Sequence, residues 1–249
     1  MNQETVMGMV LSAMPIGEYD KRLVILTKEH GKIAAFARGA RRPHSPLLSC
    51  THPFSFGNFT VYRGRDSYTV SNGEISNYFS ELRDDLEGAY YGFYFCEFAD
   101  YFTRENVEAV GILKLLYQTL RCLTKKTIPY KLIRRVFELK MIALNGEAPQ
   151  MSECTKCGKK EAEMVFSGRE GGLLCSECQR EKDVWDKRYL SPAAVYAMQY
   201  IIGTPVEKLY TFTVTPEVLK ELETCIEEYL GIYVNHTFKS LEFLEIFGC

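Results

Sequence analysis

A chain of 249 residues, 46% apolar, 25% charged and 13% aromatic, has the composition of a globular protein with enough hydrophobic material for a sizeable core, and that excludes disordered and fibrous classes. No stretch approaches the roughly 18 apolar residues of a spanning helix, and residues 1–6 lack the positive start of a secretory signal. A cytoplasmic setting with reduced thiols and no membrane partner is therefore expected. The formal net charge of −2 hides an asymmetry: residues 1–80 hold nine Lys and Arg against six acids. Between His30 and Arg65 stand Lys32, Arg38, Arg41, Arg42, Arg63 and Arg65 with no acid among them, a pattern that fits either a polyanion-binding surface or a solvated basic face.

The first 80 residues read as strands. Residues 6–14 are apolar and partly alternating, 22–27 form a short apolar run, and 33–37 follow Gly31. After a turn-rich stretch over 42–53, residues 54–62 are rich in aromatic and β-branched side chains, and 68–70 close the set behind Gly64. Short strands broken by Gly and Pro predict a small closed barrel.

From Ser80 onward the pattern is helical, so the fold class is α+β with two domains expected at 1–80 and 81–249. One long segment is predicted over 82–103, with Asp84 and Asp85 at its start, where negative charge suits a helix N-terminus. A second amphipathic run covers 107–123. A third follows Pro129, with Leu132, Val136, Leu139 and Ala143 at helical spacing and Asn145-Gly146 as its stop. Ser191-Pro192 and Thr215-Pro216 each place a capping residue before a proline, so helices open there.

Between the third helix and Ser191 lies an insert over 151–180 with two C-x2-C pairs, Cys154 with Cys157 and Cys175 with Cys178. Their spacing is that of a zinc ribbon. Two residues between cysteines let a tight turn aim both thiolates at one centre, and two such turns complete a tetrahedron with no open position. One structural Zn2+ is the expected cofactor. The other five of the nine cysteines, Cys50, Cys96, Cys122, Cys225 and Cys249, stand among apolar neighbours and read as core packing.

No phosphate-binding loop, H-E-x-x-H pair, dinucleotide fingerprint or G-x-S-x-G elbow occurs, so nothing in the sequence supports catalysis. The remaining constellation is basic and aromatic: Lys32, Arg38, Arg41 and Arg42 beside Phe54, Phe56, Phe59, Tyr62, Arg63 and Arg65. Single strands are bound by such pairings, cations on phosphates and aromatic faces on bases, although half of any barrel strand points inward.

Several of these segments, in the same order, resemble the bacterial DNA repair protein RecO family. They are GEYDKRLVILT from Gly17 to Thr27, EHGKI from Glu29, ARGARRP from Ala37 to Pro43, Tyr62-Arg-Gly64, LRDDL from Leu82, Phe137-Glu-Leu139, Cys154-x2-Cys157 and GGLLC from Gly171 to Cys175. The resemblance implies an N-terminal barrel of the oligonucleotide-binding (OB) type, then a helical domain holding the zinc module. It implies a non-enzymatic recombination mediator at the nucleoid that binds single- and double-stranded DNA and anneals strands. Such a mediator works with RecR to load RecA on DNA coated by single-strand-binding protein. The six N-terminal cations would hold phosphates, and Lys131, Arg134 and Arg135 are candidates for an acidic partner tail. An adaptor whose helical domain recruits proteins, and a zinc-stabilised nucleic-acid enzyme, stand as alternatives.

Overall fold

The computed structural model describes residues 2–65, 67–160, 163–181 and 186–246. Five strands, β1 (Asn2–Ile16), β2 (Asp20–Thr27), β3 (Gly31–Ala37), β4 (Phe56–Arg63) and β5 (Tyr68–Asn77), close a barrel in the order β1-β2-β3-β5-β4. Neighbours are antiparallel except β3 and β5, which run parallel through Ala35–Tyr68 and Phe36–Thr69. This is the OB arrangement. Closure depends on the length of β1: it pairs with β4 through Asn2–Met9 and with β2 through Gly8–Ile16, and a bulge between Val10 and Ser12 bends it. The alternation of β3 sends Ile33, Ala35 and Ala37 inward, where they meet Val10, Leu23, Ile25, Phe59 and Val61.

The stretch between β3 and β4, read from sequence as turns, contains one short helix, α1 (Leu47–Cys50), which buries Leu47 and Cys50 in the barrel core. It packs on β5, where a Cβ on Gly73 would lie 2.7 Å from the Cβ of Cys50; only glycine admits that approach. Four residues without a side-chain cap leave no helical period to read.

The long helix expected over 82–103 is divided. A 3₁₀ turn, Ser80–Asp84, precedes α2 (Leu86–Phe102), because Asp85 is extended and its Oδ1 accepts the Gly88 N–H at 3.0 Å. Helix α3 (Val110–Lys125) buries Leu113, Leu116, Leu120 and Leu123 along one face.

Helix α4 (Tyr130–Leu144) begins after Pro129 and ends at Asn145-Gly146, with Gly146 at φ 83°. A hairpin of β6 (Met164–Ser167) and β7 (Gly172–Cys175) follows, then the turn-length α5 (Cys178–Glu181). Helices α6 (Pro192–Gly203) and α7 (Pro216–Tyr233) open at the expected caps: Ser191 Oγ accepts from the Ala194 N–H and Thr215 Oγ1 from the Val218 N–H. Each of α4, α6 and α7 packs on the other two. Lys140, buried in α4, donates to the carbonyls of Ile202 at 2.7 Å and Thr204 at 2.8 Å, so it satisfies the end of α6.

The last helix, α8 (Lys239–Ile246), packs against α2. Its first N–H groups, from Lys239 and Ser240, are accepted by Glu97 at 3.0 and 2.9 Å. The chain forms two compact units. One comprises Met1–Thr127 with Phe238–Cys249 and holds the barrel, α1, α2, α3 and α8; the other is Ile128–Thr237. The change from strands to helices at residue 80 thus lies inside the first unit. Among the described residues no helix is long and apolar enough to cross a membrane.

Candidate nucleic-acid surface and metal centre

Residues 154–178 bring together, from two turns, four cysteines that could hold a metal ion. In the first, the Gly158 N–H donates to the Cys154 carbonyl at 3.0 Å, and Gly158 adopts φ 71° to allow it. The second follows β7 and runs into α5, with the Ser176 N–H donating to Glu163 O at 3.1 Å. The hairpin bends at Gly171 and Gly172, where a Cβ on Gly172 would lie 2.2 Å from the Gln150 carbonyl. The four Sγ atoms all lie within 4.8 Å of one another, and those of Cys157 and Cys175 are 3.6 Å apart. A tetrahedral ion with bonds of roughly 2.3 Å to sulfur implies edges of about 3.8 Å, so the donor set fits a closed site.

Burial opposes the Cys154 thiolate, but the backbone N–H groups of Cys175, Cys157 and Lys156 outweigh it and hold the thiol down to about 6. Cys178 moves the other way, raised first by the Cys157 side chain and then by burial. Four crowded sulfurs cannot all ionise without a cation between them. Cys50, Cys96, Cys122 and Cys225 are buried and outside this cluster; burial pushes the Cys122 thiol up to about 11 and the Cys96 and Cys225 thiols higher still. Cys249 lies outside the described residues.

The six N-terminal cations separate into three situations. Lys32 points from β3 to α2, where its ammonium lies 2.9 Å from Asp100 Oδ1, an ion pair, and donates to the Asp100 carbonyl at 2.6 Å. Arg63 and Arg65 are exposed at the β4–β5 turn, with Arg63 Nη2 3.5 Å from Asn106 Oδ1. Arg38, Arg41 and Arg42 are exposed on the loop after β3, folded against the β1–β2 turn. There the Arg41 N–H donates to Tyr19 O at 2.8 Å, Arg41 Nη1 reaches Gly17 O at 3.4 Å, and the Arg42 guanidinium stands 5.3 Å from the Tyr19 ring centre. The Gly39 N–H donates to Asp20 Oδ1 at 2.7 Å, which pins the loop.

The aromatics expected beside these cations are mostly committed to packing. Phe54 and Phe59 are buried, Phe56 packs on Tyr117 at 4.5 Å, and the half-buried Tyr62 donates its hydroxyl proton to Gln3 Oε1 at 3.1 Å. The exposed aromatic at the basic turn is Tyr19, with Lys21 near it. Sequence reading passed over both. The signal is the register Lys21–Ala37, which sets the β1–β2 turn beside residue 38.

On α4, Arg134 Nε and Arg135 Nη1 donate to the two oxygens of the wholly buried Glu138 at 2.8 and 2.9 Å, and Arg135 Nη2 is 3.3 Å from Glu227. Arg135 is itself buried, while Lys131 is exposed. Two of the three cations assigned to a partner's tail therefore already serve the core of their own unit.

Comparison with known proteins covers nearly the whole chain. The family model described as Recombination protein O N terminal matches residues 1–79, and Recombination protein O C terminal matches residues 83–242. The chain is 33% identical to the DNA repair protein RecO of Alkaliphilus metalliredigens over 237 residues, covering 94% of this chain and 96% of the relative. It is 33% identical to that of Acetivibrio thermocellus, covering 98% and 97%, and 32% identical to that of Bacillus pumilus, covering 95% and 91%.

Proposed function

This chain belongs to the RecO family of DNA repair and recombination proteins, and from that premise we propose that its barrel binds single- and double-stranded DNA and anneals complementary strands. With RecR, it loads RecA onto DNA coated by single-strand-binding protein. It acts at the nucleoid in the cytoplasm and turns over no substrate. The observation that carries this reading is the group of Arg38, Arg41 and Arg42, three exposed guanidinium groups on one pinned loop beside an exposed Tyr19. Guanidinium groups suit phosphate oxygens, and an aromatic face beside them suits an unstacked base. Arg63 and Arg65 extend the contact, while Lys32 adds to the local potential from within its ion pair.

Annealing follows from the same charge. A cationic surface that holds two strands screens their repulsion and raises their local concentration. Cys154, Cys157, Cys175 and Cys178 hold Zn2+, which supplies stability to the β6–β7 hairpin; four thiolates leave it no position for chemistry. Lys131 is the member of its group proposed to meet an acidic partner tail.

Anisotropy of a labelled oligothymidylate, titrated at several salt concentrations, tests the reading. Three or four phosphate contacts give a slope of log affinity against log salt of about −2 to −3 for single strands. A flat dependence, or no binding, leaves the adaptor as the better account.

A further inference from the structure

Two aromatic residues of the first compact unit stand in left-handed backbone conformations, Phe54 at φ 71° and Phe79 at φ 48°. Bulky side chains rarely adopt them, and such strain persists where the surroundings hold it, often around ligands. Both residues line one cavity of about 410 Å³, inside the range of about 300–1,000 Å³ typical of small-molecule sites. Its wall also holds His52, Arg83 and Phe93, and no carboxylate among the described residues lines it. Phe93 is 42% exposed, and its ring is fixed by Phe54, 4.9 Å away between centroids. Ser55, in the same wall, is wholly buried, and its Oγ has no hydrogen-bond partner among the described residues. Buried polar groups are normally satisfied, so this hydroxyl, just behind the wall, is a group that a small side-chain rotation would offer to a ligand's polar edge. A second cavity, of about 640 Å³, shares His52, Tyr78 and Arg83 with the first.

The cavity is joined to the basic turn. Lys21, paired with Ala37 just before the basic loop, donates from Nζ to Thr51 O at 3.1 Å and Oγ1 at 3.0 Å, next to His52. Burial first, then the charges of Lys21 and Arg83, holds the His52 imidazole below its ordinary range; burial, and among the charges Arg41, lowers Lys21. Lys21, bonded to Thr51, thus links the basic turn to the wall that holds Arg83, with a neutral His52 between them.

We infer that this cavity receives one base of a bound single strand, stacked on Phe93 with its polar edge toward Ser55, while Arg83 and His52 hold the adjoining phosphate. The inference rests on the DNA reading above. An acidic peptide would also suit Arg83, but the link through Lys21 to Arg38, Arg41 and Arg42 favours a polyanion long enough to cover both.

The test uses the full chain and an oligothymidylate carrying one central 2-aminopurine, whose fluorescence falls when the base stacks. Wild type quenches it. Phe93→Leu keeps the apolar bulk but loses the aromatic face, and Phe93→Ala removes both; each relieves the quench and weakens affinity about tenfold with the salt slope retained. Arg83→Ala, at an exposed position, flattens the slope by about 0.7. Circular dichroism confirms that the variants fold. If wild type binds with a salt slope but Phe93→Leu and Arg83→Ala keep its quench and affinity, the cavity lies off the strand's path and the inference fails while the DNA reading stands. Unchanged DNA binding with loss of a fluorescein-labelled oligoaspartate peptide reassigns the cavity to a protein partner and overturns the inference as well. Wild type without salt-dependent binding sinks the DNA reading itself, and the base pocket with it.

Discussion

In the β6–β7 ribbon, two cysteine pairs with 17 residues between them bring their sulfurs within 4.8 Å of one another. In the barrel, six cations within 34 residues end in three different surroundings: an ion pair to α2, the β4–β5 turn, and the loop against the β1–β2 turn. The difference lies in what each chemistry demands. A metal accepts only ligands at bonding distance and in one geometry, so the spacing of its ligands must already encode the turns that deliver them. Charge works over a Debye length of about 8–10 Å and tolerates any arrangement, so a run of basic residues constrains the fold very little. Sequence spacing therefore locates the ribbon, while only strand register reveals which arginines share a surface.

The largest effect belongs to the metal. Zinc held by four thiolates contributes an apparent 10–16 kcal/mol, roughly, in small zinc modules at neutral pH. Stripping it with a chelator is expected to expose the amides of residues 151–180 to hydrogen exchange while protection in β1–β5 persists. Elemental analysis is expected to find about one zinc per chain; less than half of that in protein purified without chelator, or equal loss of protection in the barrel, would break the contrast between a metal-held ribbon and a packed barrel.

Next in size is Arg135. The sequence makes it a candidate for a partner's acidic tail, whereas the structure seats it between Glu138 and Glu227. Arg135→Ala leaves the buried Glu138 with Arg134 as a remaining partner, and breaking such a buried pair costs about 3 kcal/mol. Urea unfolding measures it. Lys131→Glu, at an exposed position, is expected to change stability by less than about 0.5 kcal/mol. If Lys131 meets an acidic tail, this variant weakens binding of single-strand-binding protein and leaves naked DNA binding intact. Equal loss of both would assign the residue to the wrong partner.

Much of this architecture was legible in the residues. Apolar and β-branched runs broken by Gly and Pro point to the five strands, and Ser191-Pro192 and Thr215-Pro216 to the starts of α6 and α7, because a cap before proline is a local signal. Helix α8 has no such signal. Its cap is Glu97, supplied by α2 across most of the chain, and no window of sequence contains both. The same holds at the candidate site. The four cysteines announce themselves, but Tyr19 reaches Arg42, and Lys21 reaches Thr51, only through hairpin pairing. Arg134 and Arg135 look like solvated helix decoration until Glu138 is seen to be buried beneath them.

The triple variant Arg38→Ala, Arg41→Ala, Arg42→Ala asks whether the loop is the DNA surface. Three lost contacts flatten the single-strand salt slope by about 2 and slow annealing. The side chains are exposed, so the urea midpoint is expected to hold. Binding remains indifferent to sequence throughout, since phosphate contacts position a strand without reading it. A folded triple variant with wild-type affinity and slope removes this loop from the DNA site.

Lys32→Ala carries the smallest expected effect on DNA binding among the barrel cations and separates the two kinds of cation within the barrel. Its ammonium lies 2.9 Å from Asp100 Oδ1, with side chains 32% and 43% exposed, so the pair is partly solvated although that oxygen is itself buried. Pairs of this kind are worth about 0–1 kcal/mol. Lys32 also satisfies the Asp100 carbonyl on α2, an acceptor that water can take over once the lysine is gone. To hold a phosphate, the ammonium would have to leave both partners, and the strand would gain little that Asp100 did not already provide. The variant is thus expected to lower stability by less than about 1 kcal/mol and to leave the salt slope within experimental scatter of wild type. Measured beside the arginine triple, a slope that falls by about 0.7 for Lys32→Ala would place Lys32 on the DNA and make charge in the sequence, not register, the better guide to this surface.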